Sequence, residues 1–194
     1  MKMLIGLTGK TGSGKSSASR IFESLGAFVA DCDKVAHEVL SDKKIKEKLC
    51  LLFSDAILDE EKNIDRKALG QIVFSDREKL RLLNSVMHPA IVERCITLCK
   101  SSQKDICIMD GSELESSGAD EQCDHIVVIV ADEDIRLRRI MLRDGITSED
   151  AIKRIRSQKD YSKKAIIIEN NGTDDEFEEK IHLLYHKFSG ELND

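Results

Sequence analysis

No stretch of this 194-residue sequence is apolar for long enough to cross a bilayer; the longest run, Ile126 to Ala131, has the length of a strand. The start of the chain carries no basic segment followed by a long apolar stretch and a small-residue cleavage site, so no secretory signal is expected. Cysteines at 32, 50, 95, 99, 107 and 123 follow no framework spacing, which argues against a disulfide scaffold and fits a reducing cytoplasm. Cys95 and Cys99 lie four apart on a helical stretch; a metal site there would want further ligands, so the spacing is read as two small helix-face residues. Proline occurs once, at Pro89, and is expected to open a new helix. Internal repeats, low-complexity segments and linkers are all missing. What remains is one good core with room for a small inserted lobe.

A broad basic surface is also missing. The net charge is -6, yet the stretch from Arg136 to Lys164 holds ten Lys or Arg against four Asp or Glu, or +6, leaving -12 for the remainder. An isolated basic island suits a local anionic ligand and argues against nucleic-acid binding. Strand signals alternate with helical ones. Strands are expected at 3–8, 27–30, 106–109, 126–130 and 165–168, and helices at 15–25, 136–143, 148–159 and 175–187. Gly26 stops the first helix, and a long helical tract at 35–100 ends at Ser101-Ser102. Such alternation implies an α/β architecture built on a five-stranded, mostly parallel sheet, with a helical insertion after the second strand and a basic helical flap after the fourth.

Directly behind the first strand stands GLTGKTGSGKSS, residues 6–17. Gly9, Gly12 and Gly14 allow the backbone to wrap closely around a phosphate, so that successive N–H groups point inward and the following helix adds its positive end. Lys15 would reach the β- and γ-phosphates, and the Ser16 hydroxyl would coordinate Mg²⁺. The motif follows a strand and opens a helix, as its mechanism requires. Asp31-Cys32-Asp33 ends the second strand, at the edge where open α/β sheets bind ligands. If the strand persists that far, both carboxylates share one side; Asp33 could then take a proton from a hydroxyl substrate, or either could cap the next helix. Asp110 closes the third strand, where an acid can help hold Mg²⁺. Arg139 and Arg143 share a helix face suited to gripping phosphate, whereas Arg136 and Arg138 read as solvated. His88 reads by itself as a packed or capping residue.

These residues resemble the dephospho-coenzyme A kinase family over nearly the whole chain. The likeness runs through IGLTGKTGSGKSS (5–17), LGAFVADCDKVAHEVL (25–40), IDRKALGQIVFSD (64–76), LNSVMHPAI (83–91), RLRRIMLRDGIT (136–147), the glutamine of RIRSQ (154–158) and IIIENNG (166–172). The resemblance implies a three-layer P-loop kinase fold. Its nucleotide-binding core would be 1–34 with 104–135 and 160–194, its coenzyme-binding helical insertion 35–103 and its lid 136–159. It also implies transfer of phosphate from ATP, with Mg²⁺, to the ribose 3′-hydroxyl of dephospho-coenzyme A. Position by position, Asp33 becomes the candidate base, and Thr8 with Gly9, Gly12, Ser13, Gly14, Lys15, Ser16 and Ser17 the nucleotide loop. Arg139 and Arg143 become lid arginines, and the turn Asn170-Asn171-Gly172, with Asn171 and Gly172 as its nucleotide contacts, the adenine edge. Arg66, His88 and Asp110 fall on the substrate side, and Ser16 and Asp110 on the metal. A cytoplasmic monomer or weak homo-oligomer is expected, without nucleic acid or membrane.

The chain departs from the family pattern after its third strand. An aspartate, a proline, two leucines, an aromatic and a glutamate are usual; here the segment is Asp110-Gly111-Ser112-Glu113-Leu114-Glu115, which removes an apolar surface from the substrate side. Lys10-Thr11 and Ser17 also differ from the usual loop without touching a mechanistic position. The altered segment keeps open a kinase for another hydroxyl or nucleotide acceptor. A guanine-nucleotide switch would need an Asn-Lys-x-Asp motif, which the sequence lacks.

Overall fold

The structure, a computed structural model, describes residues 2–192. Five strands, β1 (Met3–Gly9), β2 (Phe28–Asp31), β3 (Ile106–Asp110), β4 (His125–Val130) and β5 (Ile166–Glu169), form one parallel sheet in the order β2-β3-β1-β4-β5. The helices are α1 (Lys15–Ser24), α2 (Cys32–Leu40), α3 (Lys43–Phe53), α4 (Arg66–Phe74), α5 (Arg77–Ser101), α6 (Leu114–Ser117), α7 (Glu133–Asp144), α8 (Ser148–Ser157) and α9 (Asp174–Glu191). Two compact units result: residues up to Ala30 together with Cys99 onward, and Asp31–Leu98.

In the first unit, side-chain alternation sorts the strands onto two faces. Met3, Ile5 and Leu7 of β1, Ile106 and Ile108 of β3, and Val127 and Ile129 of β4 meet Ala18 and Phe22 of α1 and Phe177, Ile181, Leu184 and Phe188 of α9. On the opposite face Gly6 leaves room for Leu114, Cys123 and Ile126, and Cys107 gives its thiol proton to the Cys99 carbonyl at the end of α5. Lys2 places its ammonium on the carbonyls of Cys99, Lys100 and Ser102, a cation at the negative end of that helix. Centrally β1 lies beside β3 and β4, with Leu7 level with Asp110 and Gly9 level with Ile129. That register brings the phosphate loop and Asp110 to the same sheet edge.

The second unit is built of helices, each opened by an aspartate. Asp31, Asp42 and Asp65 each accept two backbone N–H bonds at the heads of α2, α3 and α4, and Asp76 does the same for α5. Buried residues recur four apart, as Val35/Val39, Ile45/Leu49/Phe53 and Leu69/Val73, giving each helix one apolar stripe.

One expectation is corrected here, and one pair of alternatives is decided. Pro89 opens no helix; α5 runs through it from Arg77 to Ser101. Pro89 is exposed, so water can serve the Ser85 carbonyl that loses its partner, while buried Met87 and Cys95 anchor the helix on either side. The second strand does not extend through Asp33: it ends at Asp31, whose carboxylate caps α2 by accepting from the N–H groups of Asp33 and Lys34. Asp31 and Asp33 therefore do not alternate on a strand. α6 and the 3₁₀ turn Ala119–Gln122, too short to carry a period, carried no sequence signal.

Within the first unit, segment 158–163 is fastened to the 115–120 stretch by a polar cluster. Buried Asp120 accepts from the Tyr161 hydroxyl at 3.0 Å and pairs with Lys163 at 2.7 Å, while Glu115 accepts from the N–H and hydroxyl of Ser162. Burial, then the bond to Asp120, pushes the Tyr161 phenol up to about 12.

Phe22 is fully buried; Phe22→Ala should lower the unfolding free energy by about 3–5 kcal/mol in denaturant titration. Leu51→Ala, at a side chain 88% exposed, should stay within about 0.5 kcal/mol. A folded-state phenol at about 12 against about 10 in the unfolded chain favours folding in its protonated form. That contribution is whole below the unfolded value and is lost as pH rises through the folded one. The difference in phenolate absorbance between wild type and Tyr161→Phe should therefore titrate near 12, and a midpoint at the ordinary tyrosine value would refute the burial.

Candidate active site

β1 runs straight into the loop at Gly9, and α1 begins at Lys15. Gly14, the residue capping α1, has a φ of 101° and no side chain to offer, so the first N–H groups of the helix face outward uncapped. Gly12 has a φ of 78°, and a Cβ there would press on the Arg136 backbone; one on Gly14 would strike the Asn170 amide. Both positions demand glycine twice over, by conformation and by space. Ser13 Oγ is buried and has no hydrogen-bond partner among the described residues. A buried, unused hydroxyl beside the uncapped head of a helix fits an anion.

Lys15 reaches from the head of α1 to the Asp110 carboxylate, whose other oxygen accepts from Ser19 Oγ at 2.5 Å. Asp110 is buried at the carboxyl end of β3. This pair holds a lysine and an acid at the loop in compensated form, since neither charge could be left there alone. The Asp110 carboxylate and the exposed Ser16 hydroxyl are hard oxygen donors of the kind Mg²⁺ takes, so the residues present fit that ion.

Asn170 locks the loop from behind. Its amide donates to the Ser13 carbonyl at 2.8 Å, and its side-chain and backbone oxygens accept from Arg139 at 3.2 and 3.1 Å. Asn171 accepts from the Asp132 N–H at 2.8 Å, tying the same turn to the head of α7. Gly172 sits where a Cβ would strike the Glu176 carboxylate, which completes the capping box of α9. From the other side Arg136 donates to the Thr11 carbonyl at 2.9 Å, the Thr11 N–H donates to the Gln158 side chain at 2.6 Å, and Lys10 pairs with Asp160 at 2.5 Å. Arg136 is buried, and that burial lowers its pKa; it is not a solvated residue as its basic surroundings suggested.

A cavity of about 620 Å³ opens beside the loop. Thr8, Gly9, Lys10 and Ser13 line one side, the end of β4 and Arg136 the floor, and Gln158–Ser162 with Ser112, Glu113, Glu115 and Ser116 the rest. Segment 111–116 is therefore a polar, acidic wall, with only Leu114 turned into the core.

Thr8, Gly9, Gly12, Ser13, Gly14, Lys15, Ser16, Ser17, Asp110, Arg139 and the Asn171-Gly172 turn all belong to the first unit. Arg143, farther along α7, is exposed and forks onto Asp144, which also takes Arg154; the Asp144 bond raises the Arg143 pKa. Within the second unit Asp33 stands in the first turn of α2, Arg66 opens α4 and is exposed, and His88 is half-buried on α5. Cys95 and Cys99 are buried on one face of α5, and no group of three metal-ligating side chains occurs among the described residues. Sequence reasoning passed over Ser19, gave Gln158 no role, placed Asn170 only in the adenine-edge turn and read Arg136 as solvated. Asn170 and Gln158 lay inside quoted motifs, and Ser19 is one helical turn beyond Lys15; nothing in the sequence marked Arg136.

The family model "CoaE: Dephospho-CoA kinase" matches residues 3–176. A dephospho-CoA kinase of Fusobacterium nucleatum is 39% identical over 183 residues, covering 92% of this chain and 95% of its own length. Among solved structures, TT1252 of Thermus thermophilus superposes with a TM-score of 0.79 at 27% identity, over 96% of this chain and 97% of its own. Dephospho-CoA kinase of Campylobacter jejuni gives 0.70 at 29%, over 98% of each chain. With a loop shaped for phosphate, an acid at the neighbouring strand end and this likeness from β1 into α9, the chain belongs to the dephospho-CoA kinase family.

Proposed function

We propose that this chain moves the γ-phosphoryl group of ATP onto the ribose 3′-hydroxyl of dephospho-coenzyme A, giving coenzyme A. The observation that carries the reading is a complete phosphate loop, with Lys15 set against Asp110, in a chain of this family. Residues 9–17 wrap the phosphates of ATP, and Asn171 and Gly172 meet the adenine edge. Ser16 and Asp110 would hold Mg²⁺, which when bound would neutralise charge on the phosphate oxygens. Lys15 turns from Asp110 to the phosphates and, with Arg139 and Arg143, meets the negative charge of the transferring group. Asp33 accepts the proton of the attacking hydroxyl. Arg66 and His88, on the 35–103 insertion, bind the acceptor. α7 and α8, joined through Ile140, Ala151 and Ile155, move as one lid over the reacting phosphate and exclude water.

No helix among the described residues is long and apolar enough to cross a membrane. Thiol-rich composition and a small-molecule substrate support work in the cytoplasm, without nucleic acid.

Phosphate transfer from Mg-ATP to dephospho-coenzyme A tests the reading. Lys15→Ala should lower kcat by about 10²–10³-fold while leaving the far-ultraviolet circular dichroism unchanged; normal turnover in that variant would sink the role of the loop. Asp33→Asn should cost about 10²–10⁴-fold with little change in ATP affinity. Faster transfer to a nucleoside monophosphate than to dephospho-coenzyme A would move the acceptor elsewhere and point to the altered 111–115 wall.

A further inference from the structure

Cys32 and Cys95 bring their sulfurs within 3.9 Å of one another, although 63 positions separate them in sequence. Both lie in the helical unit Asp31–Leu98. Cys32 is half-buried at the first position of α2, whereas Cys95 is fully buried on α5. A disulfide needs about 2 Å between sulfurs, so closing this pair takes a shift small enough for side-chain rotation and a slight movement of the first turn of α2. Its hydrogen bond to Cys32 draws the Cys95 thiol below its ordinary value.

We propose that Cys32 and Cys95 form a thiol–disulfide exchange site for low-molecular-weight disulfides, and that its oxidised state slows phosphate transfer. The consequence for transfer rests on the proposed function, which puts the base at Asp33, one residue beyond Cys32. The exposures of the two sulfurs order the chemistry. Cys32 is the more accessible sulfur; its thiol proton passes to solvent as the sulfur attacks one sulfur of the small disulfide. That S–S bond breaks, one small thiol departs, and a mixed disulfide remains on Cys32. The Cys95 thiolate then attacks Cys32 Sγ and expels the second small thiol. Two protein thiols and one small disulfide thus become one protein disulfide and two small thiols, with no other oxidant. Cys99 and Cys107 also lie close, but both are buried and offer a soluble disulfide nothing to reach. Closure pulls on the turn in which Asp31 accepts from the N–H groups of Asp33 and Lys34, at 3.0 and 3.1 Å.

The full chain would be incubated with oxidised glutathione, and its peptides mapped by mass spectrometry without reduction. A Cys32–Cys95 crosslink is expected in wild type and should vanish in both Cys32→Ser and Cys95→Ser. Phosphate transfer by oxidised wild type should fall about tenfold through displacement of the base, and dithiothreitol should restore it. Cys95→Ser should keep its basal rate and ignore the oxidant. Cys32→Ser, at a half-buried position, serves the same purpose if Cys95→Ser fails to fold. Absence of the crosslink, or a Cys99–Cys107 link in its place, would overturn the site. A crosslink that leaves the rate unchanged would overturn the regulation. A reduced enzyme without transfer would condemn the functional reading instead, while the peptide map would still decide whether the pair exchanges.

Discussion

The buried amide of Asn170 is the constraint on which the phosphate loop depends. One short side chain holds the Ser13 carbonyl and receives Arg139, while its own N–H donates to Val130 at the end of β4. Four elements converge there: the loop, β4, α7 and the turn that leads into α9. An amide suits the position because it donates and accepts at once, so the loop carbonyl and the guanidinium are both satisfied where water is excluded. Gly14 follows from the same contact, for any Cβ would collide with that amide. The shape of an anion site at the head of α1 is thus set by a residue 156 positions downstream of it in the chain.

A second dependence runs through Lys15. Its ammonium and the Asp110 carboxylate compensate one another at low exposure, with Ser19 taking the remaining oxygen. Under the proposed function, a phosphate would compete for a lysine already neutralised and Mg²⁺ for the acid, so the two charges could be redistributed without either being left bare.

What could be read from the sequence was whatever local chemistry enforces. The β1–loop–α1 unit is specified by glycine spacing and by the apolar runs on either side, and each strand was found within a residue or two of its observed bounds. Asp31 shows where such reading stops. Strand alternation and helix capping made opposite demands on one short stretch, and capping prevailed because two N–H groups at the head of α2 needed an acceptor. Pro89 was misjudged because a local rule was applied to a helix held by burial on both sides of it. Arg136 was misjudged because the stretch of α7 around it is rich in charge, and only the bond from its guanidinium to the Thr11 carbonyl shows that it is buried against the loop. Partners brought from 147 positions away, as in the Thr11–Gln158 bond, leave no local trace.

The altered 111–116 segment bears on how the cavity sorts charge. In place of an apolar surface it sets Ser112, Glu113, Glu115 and Ser116 along one wall, and Glu115 is fixed by both donors of Ser162. Those bonds hold the Glu115 carboxylate below its usual range, so it stays charged. Lys10 and Arg136 line the same cavity on its loop side. An anion entering this space meets attraction on the loop side and repulsion on the other. Opposed walls of that kind orient a polyanion more than they hold it, because the acidic side gives back part of what the basic side gains. Under the proposed function, a wall carrying Glu113 and Glu115 would discriminate by charge and favour an acceptor whose face towards it is neutral or cationic.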